Sequence, residues 1–412
     1  MKVHISGYGI LSSLGNSPNA MFSSLLENKS AVKVIDEWSV LQGLHCQLGA
    51  PVVPYDKSPL PRMARRTMST MSEMAALASI QALNLAELKI SDLDPERALI
   101  SMGSTTGSPA TLQEYFQKLS SNKGPISQSG TAFFKVMNHS VASNVAVALG
   151  FSGAVLAPSS ACATSAQAAI LAWEQIQSGL YDIAICGGAD ELHFLSSVVF
   201  DSVYAASRGY HHAPTTTPRP FDKNRDGLVV SEGASIIILE SDRSLKKRNG
   251  QSFGEFMSGA YLCESSHMSQ SNSQQMSKVM KMALKRAELT HDKIEYVSAH
   301  ATGTVQGDAQ EAAAIGQVFG NQTPVSSLKA HFGHSMAACG VGEIIATLKM
   351  MESGILIGTR NLDQVADDCA GVNHFSGTLK KKVSMALSNN FAFGGINTSL
   401  IIKGPDVSGE KK

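Results

Sequence analysis

The sequence is short of most features that would assign it at once. Its six cysteines in 412 residues, Cys46, Cys162, Cys186, Cys263, Cys339 and Cys369, include no CxxC pair. Neither a disulfide framework nor a cysteine zinc site follows, and a reducing compartment is expected. Net charge is absent, since 34 Lys plus Arg balance 34 Asp plus Glu, so overall charge does not indicate a nucleic-acid partner. No apolar run approaches the ~20 residues needed to cross a bilayer. The start, Met1-Lys-Val-His-Ile-Ser6, is strand-like and has no signal-peptide core, so a cytoplasmic protein is expected. A dinucleotide fingerprint is a poor fit: Gly7, Gly9 and Gly15 are spaced GxGxxxxxG with no acidic residue at the right distance, and loop-to-helix packing accounts for them better. Asp226 and Glu232 invite a metal reading, but turn roles and salt bridges to Arg219 or Arg225 are the simpler expectation. His331 and His334 form an HxxH without a third zinc-like ligand.

What is present is a βαβ grammar with one cysteine at its centre. Ala154 to Ala157 is a short apolar run of strand length, Pro158 to Ala161 are small, and an alanine-rich helix then runs toward Gly179. Cys162 therefore sits where a strand turns into a helix. Free N–H groups and partial positive charge at that terminus favour thiolate, the nucleophilic form. A buried cysteine acting as a small hydrophobe is the bland alternative. The next strand, Asp182 to Gly188, completes a βαβ unit and predicts a parallel sheet. A charged, polar stretch at Ser241–Ser252 is the best boundary, and the alternation restarts beyond it. Length and pattern predict two similar halves, 1–250 and 251–412.

The second half supplies further chemistry at strand ends. The strand Ile294–Ser298 runs into Ala299-His300-Ala-Thr302-Gly-Thr304. Another strand leads to Lys329-Ala-His331-Phe-Gly-His334, and the near-terminal run is Asn390-Phe-Ala-Phe393-Gly-Gly-Ile-Asn397. A thiolate with two imidazoles can perform acyl transfer, or stabilise an enolate if the imidazoles donate hydrogen bonds. The glycine pair can aim backbone N–H groups at an oxyanion. Phe133 and Phe134, before the helix Val141–Leu149, are either plain core or the lining of an apolar pocket. Arg62, Arg65 and Arg66 are either a solvated face or a docking patch for an acidic partner.

With these stretches in order, the chain resembles the β-ketoacyl-acyl-carrier-protein synthases, decarboxylating condensing enzymes of the thiolase superfamily. The resemblance rests on Ser160-Ala-Cys162-Ala-Thr-Ser, on Arg225-Asp-Gly-Leu-Val with Ser231-Glu-Gly-Ala, and on His300-Ala-Thr-Gly-Thr304 with Gly307-Asp308. Lys329 with Gly333-His334, and Asn390 to Asn397, complete it. It implies an α/β thiolase fold, two duplicated halves in five αβαβα layers. It implies that Cys162 carries the acyl chain, that the N–H groups of Cys162 and Phe393 hold the oxyanion, and that His300 and His334 bind the malonyl thioester and assist decarboxylation. Lys329 then orders the site, through Glu311, with Asp308 and Glu343 as structural support. Thr302 and Thr304 bind the phosphopantetheine arm that the partner carries, Phe393 gates it, and Phe133, Phe134 and Phe200 line the acyl pocket. Arg62, Arg65 and Arg66 dock the acyl carrier protein. No catalytic metal is implied; Glu343, Ser388 and Asn389 fall where some members hold a structural monovalent cation. A homodimer is implied, or a heterodimer with a related subunit. Rival readings on the same residues are a non-catalytic chain-length partner, a thiolase and a Cys-His hydrolase. A thiolase would need a cysteine where Phe393 stands, and a hydrolase an Asn or Asp orienting its histidine. Ala301 for the usual glycine, His331-Phe332 before Gly333, and Ala392 in the gate depart from the family pattern and leave open a specialised polyene or polyketide-like route.

Overall fold

The computed structural model describes residues 1–265, 268, 270 and 272–405. Among them, eleven strands form one hydrogen-bonded array: β1 Val3–Ser12, β2 Ala98–Gly103, β3 Ala154–Leu156, β4 Ile183–Asp190, β5 Gly233–Ser241, β6 Glu255–Cys263, β7 Tyr296–Ser298, β8 Pro324–Ser326, β9 Asn373–His374, β10 Met385–Phe391 and β11 Ile396–Lys403. The principal helices are α1 Thr70–Leu85, α2 Ser140–Leu149, α3 Thr164–Gln177, α4 Ser273–Arg286, α5 Val305–Phe319 and α6 Cys339–Ser353.

The strand order is β9-β8-β7-β10-β11-β6-β1-β5-β4-β2-β3. Read outward from the middle, β1-β5-β4-β2-β3 has the same order and directions as β6-β11-β10-β7-β8. In each, two antiparallel pairings are followed by two parallel ones. The two halves of the array join where β1 meets β6, with His4 paired to Glu255. Helices α3 and α6 pack on each other and on strands of both halves. Helices α1 and α2 cover the outer face of the first half, and α4 with α5 that of the second. Helix, sheet, helix, sheet and helix layers follow, and the stretch between β5 and β6 separates the repeats. The layered duplicate implied by the resemblance is therefore the observed fold.

Local sequence explains why these layers close. Both faces of β5 are buried, and its Ile236-Ile-Ile238 run is fully apolar, as a central strand covered on both sides requires. β1 runs on through Gly7 and Gly9, where a loop was the expectation. A Cβ at Gly7 would lie 2.2 Å from the Ala82 carbonyl oxygen, and one at Gly9 2.1 Å from that of Ala78. The glycines let α1 lie directly on the strand, so they serve helix–strand packing without breaking the strand. Ser17 caps the following helix, Pro18–Leu26, by accepting the Ala20 N–H at 3.2 Å, as its sequence position suggests.

Two ion-pair expectations are corrected. Asp226 accepts the Arg208 and Gly209 N–H groups, and Glu232 those of Val52 and Leu192. Arg219 pairs with Asp222 and Asp363, and Arg225 with Asp368. The two carboxylates anchor loops and face neither arginine.

Candidate active site

The site forms where strand ends from both halves meet. Cys162 follows β3 in a one-turn 3₁₀ segment, Ala161–Ala163, that leads into α3. Ala161 takes a left-handed φ of +47°, which turns the chain sharply just before the nucleophile. His300 follows β7, His334 follows β8, and Phe393 follows β10. Functional groups at the carboxyl ends of parallel strands are what an open α/β sheet favours. A Cβ on Gly103, at the end of β2, would lie 1.7 Å from the Pro158 carbonyl oxygen, so the cysteine loop is pressed against this strand end.

His334 Nε2 lies 2.9 Å from Cys162 Sγ, and the His300 and His334 rings meet edge to face with centroids 5.3 Å apart. The backbone N–H groups of Cys162 and Phe393 act to lower the thiol's pKa. Burial pushes the Cys162 thiol up to about 12, against the pull of the Lys329 charge. Burial likewise holds both imidazoles well below their ordinary range, aided by Lys329. The expected helix-end thiolate is thus overridden by desolvation. The short contact therefore joins a buried thiol and a buried imidazole, neither of which burial favours in its charged form.

Lys329 and Glu343 form a buried ion pair. This corrects the expected pairing with Glu311. The lysine is opposed by burial but held charged by Glu343. Glu311 instead accepts the N–H groups of His300 at 2.8 Å and Ala301 at 2.6 Å, plus the Asn389 amide at 3.3 Å. Asp308 accepts those of Phe221, Thr302 and Gly303. Two carboxylates therefore fix the turn that carries His300. Glu343 has its second oxygen on Asn390 Nδ2 at 2.9 Å. Strand alternation sends the Asn389 side chain the other way, to Glu311. Asn389 and Asn390 thus donate to different carboxylates, while Ser388 Oγ and Asn389 Oδ1 are buried without a hydrogen-bond partner among the described residues.

A narrow cleft opens over the sulfur, lined among others by Phe200, Thr302, Thr304 and Phe393. The Phe393 ring lies 5.5 Å from that of Phe200. Thr304 and Phe393 also line an adjacent cleft with exposed Tyr204 and Val305, so Phe393 borders both clefts. The left-handed gate residues are Gly394 and Gly395; Ala392 is not among the residues with positive φ and carries no such strain here. Phe133 and Phe134 are corrected: they are 62 % and 54 % exposed and do not line this cleft. Arg62 and Arg66 are exposed and Arg65 is half-buried, and among the described residues none of the three is within ion-pair distance of a carboxylate.

Sequence reasoning missed Asp190, the last residue of β4. It is fully buried and accepts from the Ser104 hydroxyl and from the N–H groups of Thr105, Thr106 and Ala337. It joins the loop after β2 to the turn after His334. Its only signal was a carboxylate closing an otherwise apolar, glycine-rich strand. Asp190→Ala leaves four donors unpaired, two of them fully buried, and is expected to cost about 3 kcal/mol. A urea midpoint that falls with an unchanged slope would show this; an unmoved midpoint would refute it.

Comparison with known proteins accords with this geometry. The pattern described as Beta-ketoacyl synthase, N-terminal domain, matches residues 1–244, and the corresponding C-terminal domain matches residues 257–363. The 3-oxoacyl-[acyl-carrier-protein] synthase 1 of Escherichia coli K12 is 31 % identical over 97 % of this chain and 98 % of its own. A Beta-ketoacyl synthase crystal structure from Burkholderia phymatum superposes with a TM-score of 0.94 at 34 % identity, covering 98 % of this chain and 99 % of that one. A ketosynthase solved with its type II PKS acyl-carrier protein and a hexaketide gives a TM-score of 0.89 at 25 % identity, with 98 % and 99 % coverage. With a thiol and two imidazoles at the meeting of two like halves, and with both halves matched in sequence, the chain belongs to the β-ketoacyl synthase family.

Proposed function

We propose that the protein condenses an acyl thioester on Cys162 with malonyl-acyl-carrier protein, losing carbon dioxide and lengthening the chain by two carbons. The observation that carries this reading is the convergence of one thiol and two imidazoles at the floor of the cleft, with His334 Nε2 2.9 Å from the sulfur and one ring nitrogen of each histidine within 4.8 Å of it. The Cys162 sulfur attacks the acyl thioester carbonyl as its proton passes to His334, and the phosphopantetheine thiol leaves with a proton. The proton on His334 Nε2 goes to the leaving thiol, and the neutral ring shifts its remaining proton from Nδ1 to Nε2. The malonyl thioester then enters past Thr302 and Thr304, its carbonyl oxygen taking hydrogen bonds from His300 and from His334 Nε2. The bond to the carboxylate breaks, carbon dioxide leaves, and the resulting carbanion attacks acyl-Cys162. The tetrahedral oxyanion sits on the N–H groups of Cys162 and Phe393 until the thiolate is expelled. Intact-mass spectrometry tests the sequence. An acyl adduct should form from acyl-carrier protein and vanish on adding malonyl-carrier protein, with a β-keto product two carbons longer. No adduct from any acyl donor would favour a non-catalytic partner subunit.

The rival chemistries fit less well. Phe393 stands where a thiolase base would be. Cys339, which touches the Cys162 carbonyl oxygen at 3.2 Å, lines a separate cavity beside Lys329 and Glu343 and not the cleft. The Nδ1 atoms of both histidines are buried without a hydrogen-bond partner, so the orienting group of a Cys-His hydrolase is lacking.

Arg62, Arg65 and Arg66 suit an acidic carrier surface. Reversing Arg62 and Arg66 to Glu is expected to raise KM for the carrier-bound substrate about tenfold or more, most at low salt, while kcat on a small pantetheine thioester stays put. An equal loss on both substrates would count against docking. For the partner chain, a second copy fits best. Strand β3 is a free sheet edge with Val155 and Leu156 exposed, and exposed Phe133 and Phe134 precede the helix that packs on it. Light scattering should give the mass of two chains for the wild type and one for Val155→Glu; a wild-type monomer would reject the pairing.

A further inference from the structure

Three metal-ligating atoms meet at the floor of the cleft: Cys162 Sγ and one ring nitrogen each of His300 and His334, all within 4.8 Å of one another. We propose that this triangle is also a reversible, inhibitory binding site for a thiophilic divalent cation such as zinc. The inference goes beyond the condensing reading and needs only the three side chains.

The ligand set is one sulfur and two imidazoles with an open fourth position, a composition that tetrahedral zinc accepts. With Zn–S near 2.3 Å and Zn–N near 2.0–2.1 Å, a tetrahedral sulfur–nitrogen edge is ~3.6 Å. The 2.9 Å Cys162–His334 separation must open by several tenths of an ångström, and the cleft above leaves room for it and for a water as fourth ligand. The Sγ–H bond breaks as the metal–sulfur bond forms, and the proton goes to buffer. The Lys329 ammonium opposes a cation, but it is paired with Glu343, and the Asp190 carboxylate also lies near the thiol.

The surroundings distinguish this site from a resident cofactor centre. Metal-bearing histidines ordinarily donate their second ring N–H to a partner that fixes the ring. Here both Nδ1 atoms are buried and unpartnered. The triangle therefore binds metal without being built to keep it, and a chelator should strip it. Because the metal and an acyl group need the same sulfur, loading either one excludes the other.

Cobalt(II) titration of the full chain tests this without any acyl substrate, so its failure leaves the condensing reading untouched. One equivalent should raise a sulfur-to-cobalt charge-transfer absorption, which zinc then abolishes. The absorption should be lost in Cys162→Ala and in wild-type protein alkylated or acylated on Cys162. It should need more than tenfold higher cobalt in His334→Ala and persist in Cys263→Ser, which lacks the exposed thiol. The alkylated wild type covers the case in which a variant fails to fold. No sulfur-to-cobalt band in the wild type, or a band that survives blocking of Cys162, overturns the proposal.

Discussion

Cys162→Ala should form no acyl adduct and should lose condensation by on the order of 10⁴-fold or more. Each step after loading needs a thioester at this position, and no other thiol is placed to supply it. Cys339 donates to the carbonyl oxygen of Cys162, accepts from Asn390 Nδ2 and opens on a different cavity. Cys263 is exposed, with its sulfur 3.8 Å from the Gly394 carbonyl oxygen. Decarboxylation of malonyl-carrier protein should continue in this variant, because His300 and His334 keep their places on the turns fixed by Glu311, Asp308 and Asp190. Mass spectrometry for loading and carbon dioxide release for decarboxylation separate the two half-reactions. Condensation at the wild-type rate would remove Cys162 from the mechanism.

His300→Ala should show the reverse split. Acyl loading persists, since the thiol's proton acceptor is His334 at 2.9 Å. Decarboxylation drops by ~10²–10⁴-fold, the usual worth of a positioned acid–base or hydrogen-bonding group. His334→Ala should impair both half-reactions, because that imidazole serves the sulfur and the malonyl carbonyl. A His300→Ala variant that decarboxylates normally but fails to load would interchange the two roles. The imidazoles are held neutral by burial, so decarboxylation by the wild type should show no inflection near the ordinary histidine value of ~6.5. A clear inflection there would mean that one imidazole acts in its charged form.

Much of this site was legible because its parts lie at strand ends with recognisable neighbours. Cys162, His300, Lys329 and His334 each come within ten residues of the end of a strand, with small residues close by. The partners were harder to read. Lys329 meets Glu343 and not Glu311 because α6 begins ten residues after the lysine and carries Glu343 back against it, a tertiary fact with no local mark. Asn389 and Asn390 are adjacent in sequence yet serve opposite faces of β10, one on Glu311 and the other on Glu343. The thiol's protonation followed from burial, which outweighs the helix end that the sequence displays. Phe133 and Phe134 carry no signal that separates core, pocket and surface. The halves could be seen as β-α-β units, but strand order is a product of non-local pairing and waited on the structure.

The duplication reaches down to individual residues. Ala161, with φ of +47°, opens the 3₁₀ turn before α3, and Met336, with φ of +44°, opens the 3₁₀ turn before α6. Cys162 is the second residue of one turn and Ala337 the second of the other. The Ala337 N–H donates to Asp190 at 2.8 Å, whereas the Cys162 N–H acts to lower the thiol's pKa. A left-handed residue at each opening costs of order 1–2 kcal/mol, and both copies retain it. The same turn thus recurs in both halves with different contents: one copy presents a cysteine at the floor of the cleft, and the other presents an alanine whose N–H is tied to Asp190.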